Sequence, residues 1–311
     1  MVTGASGFVG RRLVEALRND GDEVLACGGP HDTQADYFPI DLADAGSLTA
    51  ALETARPRVI FHLAAQAFVP ESLRSPMETY EVNALGTARL AEAVRGYDAD
   101  PSPRIFFASS AEVYGAREPG EYPLRETLDT RPANPYGASK AAAEAILLAQ
   151  AQSFGLEVVI ARAFNQIGPG QSDRFVVASM AAQLARIADG AKPQMYVGNL
   201  ASGRDFLDVR DVVEAYLALA RRGEGAHMEH AQIYNVCRGH AVTIRDVLRE
   251  LIAIARVPVE VREDPRLTRR VDAPLSVGSP EKLRAATGWQ PRFSLLQSLR
   301  DIYESALEKE A

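Results

Sequence analysis

The chain has 311 residues, of which 47% are hydrophobic, 24% charged and 7% aromatic, and its formal net charge is −7. That balance is ordinary for a globular protein and excludes collagen-like and low-complexity chains. It also argues against nucleic-acid binding, since no Lys/Arg run offsets the acidic excess, and against a membrane span, since no stretch of about 18 apolar residues occurs.

The series Gly4-Ala5-Ser6-Gly7-Phe8-Val9-Gly10 lies almost at the first residue. The strand that should precede it is either short or begins upstream of Met1. Leu13, Val14 and Leu17 recur at helical spacing, and that helix should end near Asn19-Asp20-Gly21. Glu23 to Cys27 is a short apolar run stopped by Gly28-Gly29-Pro30, and Tyr37 to Ile40 reads as a third strand. Ser47 to Ala55 is predicted helical, Val59 to Ala65 a buried strand, and Met77 to Val94 one helix. Arg104 to Ala108 is the next strand. Tyr136 to Phe154 is a long Ala-rich helix, with Asn134 as its cap and Pro135 in its first turn. Leu156 to Ala161 is another buried strand.

This alternation predicts an α/β fold, a doubly wound parallel Rossmann sheet with a smaller C-terminal α/β lobe. Past Gly168 the alternation loosens. Helices are expected at Phe175 to Ala188, near Ile244 to Ile254 and at Ser294 to Leu307, with strands near Met195 to Val197 and Ile233 to Val236. The expected division assigns 1–167 plus about 203–238 to a dinucleotide-binding domain, and 168–202 plus 239–311 to the lobe. The N-terminus lacks the pattern of a secretory signal. Cys27 and Cys237 have no metal-ligand spacing, so no metal is expected; both read as buried core residues in a reducing, cytoplasmic compartment.

A glycine turn between a strand and a helix has a physical use. Gly4 permits the tight turn, Gly7 lets a pyrophosphate approach the backbone, and Gly10 lets helix and strand pack closely. The helix N-terminus adds unpaired N–H groups and a positive dipole. An acid that binds the adenosine ribose should end the second strand, but Cys27 to Asp32 offers none at the expected point, and no Arg for a 2′-phosphate. NAD versus NADP is thus open. Asp41 is a candidate for the adenine amino group, or an ordinary loop aspartate.

Tyr136 and Lys140 stand one helical turn apart on one face. A cation beside a phenol should lower the phenol pKa and make it a usable proton donor and acceptor near neutral pH. Ser110 and Glu112 follow the strand before them, at the carboxyl end that faces the crevice of such sheets. Ser109 reads as a backbone-bonding loop serine.

Taken together, Thr3 to Gly10, Asp41-Leu42, His62 to Gln66, Ser109 to Gly115 and Asn134 to Lys140 resemble the extended short-chain dehydrogenase/reductase family, over essentially the whole chain. Arg162 to Gln171, Phe175 to Ser179 and Arg204 to Val213 are similar to its GDP-6-deoxy-D-mannose reductase branch. The resemblance implies NAD or NADP, reduced as hydride donor, on Gly4, Ser6, Gly7, Phe8, Val9, Gly10, Asp41, Leu42, Leu63, Ala64, Ala65, Tyr136, Lys140 and Phe164. It implies a GDP-linked keto sugar on Gln66, Ser110, Asn165, Val176, Arg204 and Arg269, the last in a looser match than the family's Arg-Pro-x-Asp. Tyr136, Lys140, Ser110 and Glu112 would be catalytic. The implied reaction reduces C4 of GDP-4-keto-6-deoxy-D-mannose to GDP-D-rhamnose or its 4-epimer, GDP-6-deoxy-talose. A 4,6-dehydratase, a 4-epimerase and a cofactor-sensing binding protein are the alternatives. The resemblance also implies a homodimer through a four-helix bundle.

Overall fold

The computed structural model describes residues 1–30, 32, 36–222, 231–267 and 273–310. The chain opens with four strands and two helices: β1 (Val2–Thr3), α1 (Phe8–Asn19), β2 (Ala26–Gly28), β3 (Phe38–Pro39), α2 (Ala45–Ala55) and β4 (Val59–His62). Then come α3 (Val69–Arg74), α4 (Pro76–Tyr80), α5 (Gly86–Gly96), β5 (Arg104–Ser110), α6 (Pro135–Phe154) and β6 (Val158–Ala163). The second half contains β7 (Asn165–Ile167), α7 (Val176–Ala188), β8 (Gln194–Val197), β9 (Gly203–Asp208), α8 (Val209–Arg221) and β10 (Ala231–Val236). It ends with β11 (Ala241–Thr243), α9 (Ile244–Ala255), β12 (Glu260–Glu263), β13 (Leu275–Ser276), α10 (Glu281–Thr287) and α11 (Leu295–Glu310).

The main sheet is parallel throughout, in the order β10-β6-β5-β4-β1-β2-β3. Its central strands are apolar on both faces because helices cover both. On one side Leu13, Val14 and Leu17 of α1 pack with Val212 and Tyr216 of α8. On the other, Leu48, Leu90, Val94 and Leu147 bring α2, α5 and α6 onto the sheet. The strand order reverses direction at β1, between β4 and β2. The carboxyl ends of the strands on either side therefore open a crevice there. A second sheet joins β11, β9 and β13, with β7 paired to β9, and β8 pairs with β12. Met180, Leu184, Leu248, Leu251 and Leu299 form the core under it.

Most predicted elements occur within a few residues of their expected bounds. The helix expected over Met77 to Val94 differs. It is α4 and α5 joined by a π-helical turn, Glu81–Leu85. Single π turns widen a helix by one residue and concentrate at functional sites. Here the extra residue brings Asn83, 1% exposed, to bear on Gln66 and Ser139. The short strands β7, β11 and β13 carry too little periodicity to be foreseen.

Candidate active site

The glycine turn is tight because backbone approaches backbone. Gly4 has φ +68°, and a Cβ there would lie 2.7 Å from the Ala64 amide nitrogen. A Cβ at Gly10 would lie 2.1 Å from the Gly4 carbonyl oxygen. Gly7 caps α1 with no side-chain hydrogen bond, and no acid stands in the first turn. Those first amides and the dipole thus suit a diphosphate. Leu63 and Ala64 line the other wall, their amides bonded to Thr3. Ala65 follows them in the same loop. The cradle therefore fits the dinucleotide that the sequence implies.

The acid that sequence reading did not find is Asp32. Its Oδ2 accepts from the Ser6 hydroxyl at 2.5 Å and from the Gly29 amide at 3.0 Å. The loop after β2 swings the carboxylate back over the glycine turn, so counting residues from the strand misplaced it. The missed signal was an Asp a few residues beyond Gly28-Gly29-Pro30. Asp41 uses Oδ1 to accept from its own loop, at Ala43, and Leu42 packs against Gly86 of α5. Phe8 and Val9 are half-buried at the start of α1, and the Arg12 guanidinium lies 5.0 Å from the Phe8 ring centroid.

Strand β5 delivers Ser110 to the crevice. The Ser110 hydroxyl oxygen accepts from the Glu112 amide at 3.2 Å, which leaves its proton available for donation. Asn134 caps α6, accepting from the Gly137 amide at 2.8 Å, and donates to Glu112 at 2.7 Å. Glu112 thereby fixes the helix start beside Tyr136.

Lys140 does not act on the phenol as expected. The Lys140 side chain turns into the sheet, is 3% exposed, donates from Nζ to the Ala108 carbonyl at 2.7 Å and lies 4.6 Å over the Phe107 ring. The Tyr136 phenol is pushed up to about 12, by burial and with the Glu112 charge adding to it, while Ser110 pulls it back in part. Its proton is therefore retained at neutral pH, and the expected lowering is corrected. Burial lowers Lys140 itself to about 7, opposed by the nearby Glu144 charge.

From about 7 up to the ordinary 10.5, the unfolded chain holds a proton on Lys140 that the folded protein releases. Stability then rises with pH across that window. Replacing Lys140 with Met is expected to flatten the rise, read as urea midpoints of the dinucleotide-free protein at neutral pH and about pH 9.

Glu144, one turn beyond Lys140, is gripped by Arg162 of β6 at 2.7 Å, with side chains 2% and 4% exposed. Ser109 donates to the same carboxylate at 2.5 Å. Ser109 is thus a buried partner of a charge, not a loop serine bonded to backbone.

The predicted sugar-nucleotide residues separate into three groups. Asn165 begins β7, and Val176, 41% exposed, begins α7. Arg204 donates to the Gly203 and Ala273 carbonyls, beside the same lobe, while Arg269 lies outside the described residues. Gln66 is turned inward. Its amide donates to Thr79 and accepts from the Phe68 amide, so both ends serve the fold. Phe164, 4% exposed, likewise packs with Val113, Tyr114 and Cys237 in a core cluster. Among the described residues no group of three or more His, Cys, Asp or Glu could hold a metal, and no helix is long and apolar enough to cross a membrane.

The chain is similar to known proteins along its whole length. A GDP-6-deoxy-D-mannose reductase from Pseudomonas aeruginosa is 39% identical over 315 residues, covering 99% of this chain and 98% of the relative. The structure of RMD from Pseudomonas aeruginosa complexed with NADPH superposes with a TM-score of 0.84 at 38% identity, covering 99% of this chain and 98% of that one. The Thermus thermophilus UDP-glucose 4-epimerase complex with NAD gives 0.85 at 35% identity, covering 98% and 97%. The family described as GDP-mannose 4,6 dehydratase matches residues 1–302. With its parallel Rossmann sheet, glycine cradle and Tyr136–Lys140 helix, the chain belongs to that family, within the extended short-chain dehydrogenases/reductases, and is an NAD(P)-dependent enzyme.

Proposed function

We propose that the protein is a reductase of a GDP-linked keto sugar, acting at C4 of GDP-4-keto-6-deoxy-D-mannose and yielding GDP-D-rhamnose or GDP-6-deoxy-talose. The observation that carries this reading is the Tyr136 phenol beside the Ser110 hydroxyl, whose oxygen already accepts from the Glu112 amide. When bound, the reduced dinucleotide supplies the hydride. Tyr136 gives its proton to the substrate oxygen as negative charge develops there, and Ser110 donates a hydrogen bond to the same oxygen. Lys140, whose Nζ bonds the Ala108 carbonyl in the dinucleotide-free structure, would hold the nicotinamide ribose once the dinucleotide is bound. Asn165, Val176, Arg204 and Arg269 receive the sugar nucleotide, with guanidinium groups suited to phosphate oxygens. Full-length similarity to the Pseudomonas reductase supports this substrate class.

A dehydratase of the family would carry a Glu at position 112, and a 4-epimerase would use the same Tyr136 and Ser110. The test is incubation with the keto sugar and reduced dinucleotide, with the product read by NMR. Stoichiometric loss of reduced dinucleotide supports the reductase; turnover without net redox supports the others.

In this reading residues 1–167 plus about 203–238 bind the dinucleotide and the remainder binds the sugar nucleotide. Two copies pair through α5 and α6, in a cytoplasmic setting that keeps Cys27 and Cys237 reduced. The Asp32 carboxylate opposes a 2′-phosphate by like charge, so NADH is the preferred donor. Asp32→Ser is expected to raise NADPH affinity relative to NADH by about tenfold, measured as two dissociation constants by fluorescence titration. An unchanged ratio would place the discrimination elsewhere.

A further inference from the structure

A buried hydrogen-bond chain joins the glycine turn to the helix that carries Tyr136. The Ala64 amide donates to Thr3 Oγ1 at 3.2 Å, and Thr3 Oγ1 lies 2.8 Å from His62 Nδ1. On the far side of the ring, His62 Nε2 lies 3.1 Å from Thr87 Oγ1. The Thr87 hydroxyl donates to the Asn83 carbonyl at 2.6 Å. Each hydroxyl has one proton to give. Thr87 spends its own on Asn83, so its oxygen must accept from His62, and Nε2 must carry hydrogen. The neutral ring then has a bare Nδ1, which accepts from Thr3.

The chain continues through the Asn83 side chain. Its Oδ1 accepts from the Gln66 amide at 2.8 Å, and its Nδ2 donates to the Gln66 carbonyl and to Ser139 Oγ, each at 2.9 Å. Ser139 Oγ donates to the Tyr136 carbonyl at 2.7 Å. The π turn makes this reach possible, since it aims Asn83 at α6.

A charged ring would not suit this place. His62 is fully buried and stacks on Phe107 at 5.8 Å, and Lys140 Nζ lies over the same Phe107 ring. Burial lowers the imidazole pKa to about 3, and Lys140, the charged group facing it, adds to the shift.

We propose that His62, as the neutral ring protonated on Nε2, is a positioning residue that sets the separation between the glycine turn and the helix bearing Tyr136 and Lys140. The proposal rests on the dinucleotide reading of the crevice and is independent of which sugar is reduced. It makes His62 an oriented strut whose direction comes from the Thr87–Asn83 bond.

The test begins with nitrogen-15 NMR of the ligand-free protein labelled at histidine. The expected pattern is a protonated Nε2 and a bare Nδ1, unchanged from about pH 5.5 to 8.5. A proton on Nδ1, or titration in that range, overturns the proposal. His62→Leu keeps comparable bulk but strands the Thr3 hydroxyl proton and the Thr87 oxygen. It is expected to weaken NADH and NADPH binding by about tenfold in a fluorescence titration. His62→Gln, which can donate to Thr87, is expected to recover part of that loss. Thr87→Val removes one link and is expected to weaken binding in the same direction, which keeps the test open if His62→Leu does not fold. Unchanged dissociation constants in the Leu or Val variant overturn the proposal. The NMR pattern needs no substrate, so a failure of the keto-sugar assay leaves it intact, and the reverse holds too.

Discussion

Replacing Tyr136 with Phe is expected to lower kcat for the keto sugar by about 10²–10⁴-fold, the range a positioned proton donor supplies. The ring would stay in place because its packing does not depend on the hydroxyl. Cap and helix contacts are also kept. Asn134 still accepts from Gly137, and Ser139 still donates to the Tyr136 carbonyl, a backbone atom. The dissociation constant for the dinucleotide should therefore change little. A drop in kcat with unchanged dinucleotide binding identifies a group that acts on the transition state. Turnover within about threefold of the parent would remove Tyr136 from the proton-transfer role. Because the phenol is pushed up rather than down, the parent enzyme should also keep its proton donor through neutral and mildly alkaline pH.

Arg162→Met is the largest expected loss of stability, about 3–5 kcal/mol, because it leaves a buried carboxylate without its cation. Glu144 and Arg162 are both almost wholly buried and share a fork of three bonds between 2.7 and 3.1 Å. The Arg162 guanidinium also lies 4.8 Å over the Tyr114 ring. Met retains length and apolar contact, so the loss reports the stranded charge. Adding Glu144→Gln removes that charge and should return more than half of the loss. Urea unfolding of the two variants measures both values. A loss under about 1 kcal/mol, the size seen for exposed pairs, would mean that water reaches Glu144 and shares its charge.

Other parts of the site show why some residues were legible in advance and others were not. The glycine turn, the Asn134 cap and the Tyr136–Lys140 pair are local: each depends on residues within a few positions of one another. Glu144 meets Arg162 across 18 positions and Ser109 across 35. Thr3 meets His62 across 59. Asp32 is near in sequence but depends on how the loop after β2 folds back over Ser6. None of these pairings has a spacing that a pattern search would recognise. Gln66 is the converse case. The family resemblance offered it as a substrate contact; in the folded chain Asn83 of the π turn bonds its backbone, and Thr79 and Phe68 bond its side chain.

By itself the order of residues determined the alternating strands and helices, the turn at Gly4 to Gly10 and the placing of Tyr136 and Lys140 on one helical face. These follow from apolar periodicity, glycine's freedom at positive φ and the pitch of an α-helix, all of which act over short stretches. Tertiary structure alone decided the protonation of the phenol, the inward turn of Lys140, the Asp32 contact and the directed chain through His62. Each of these depends on desolvation and on partners brought in from distant strands, and both arise only when the sheet and its helices close around them.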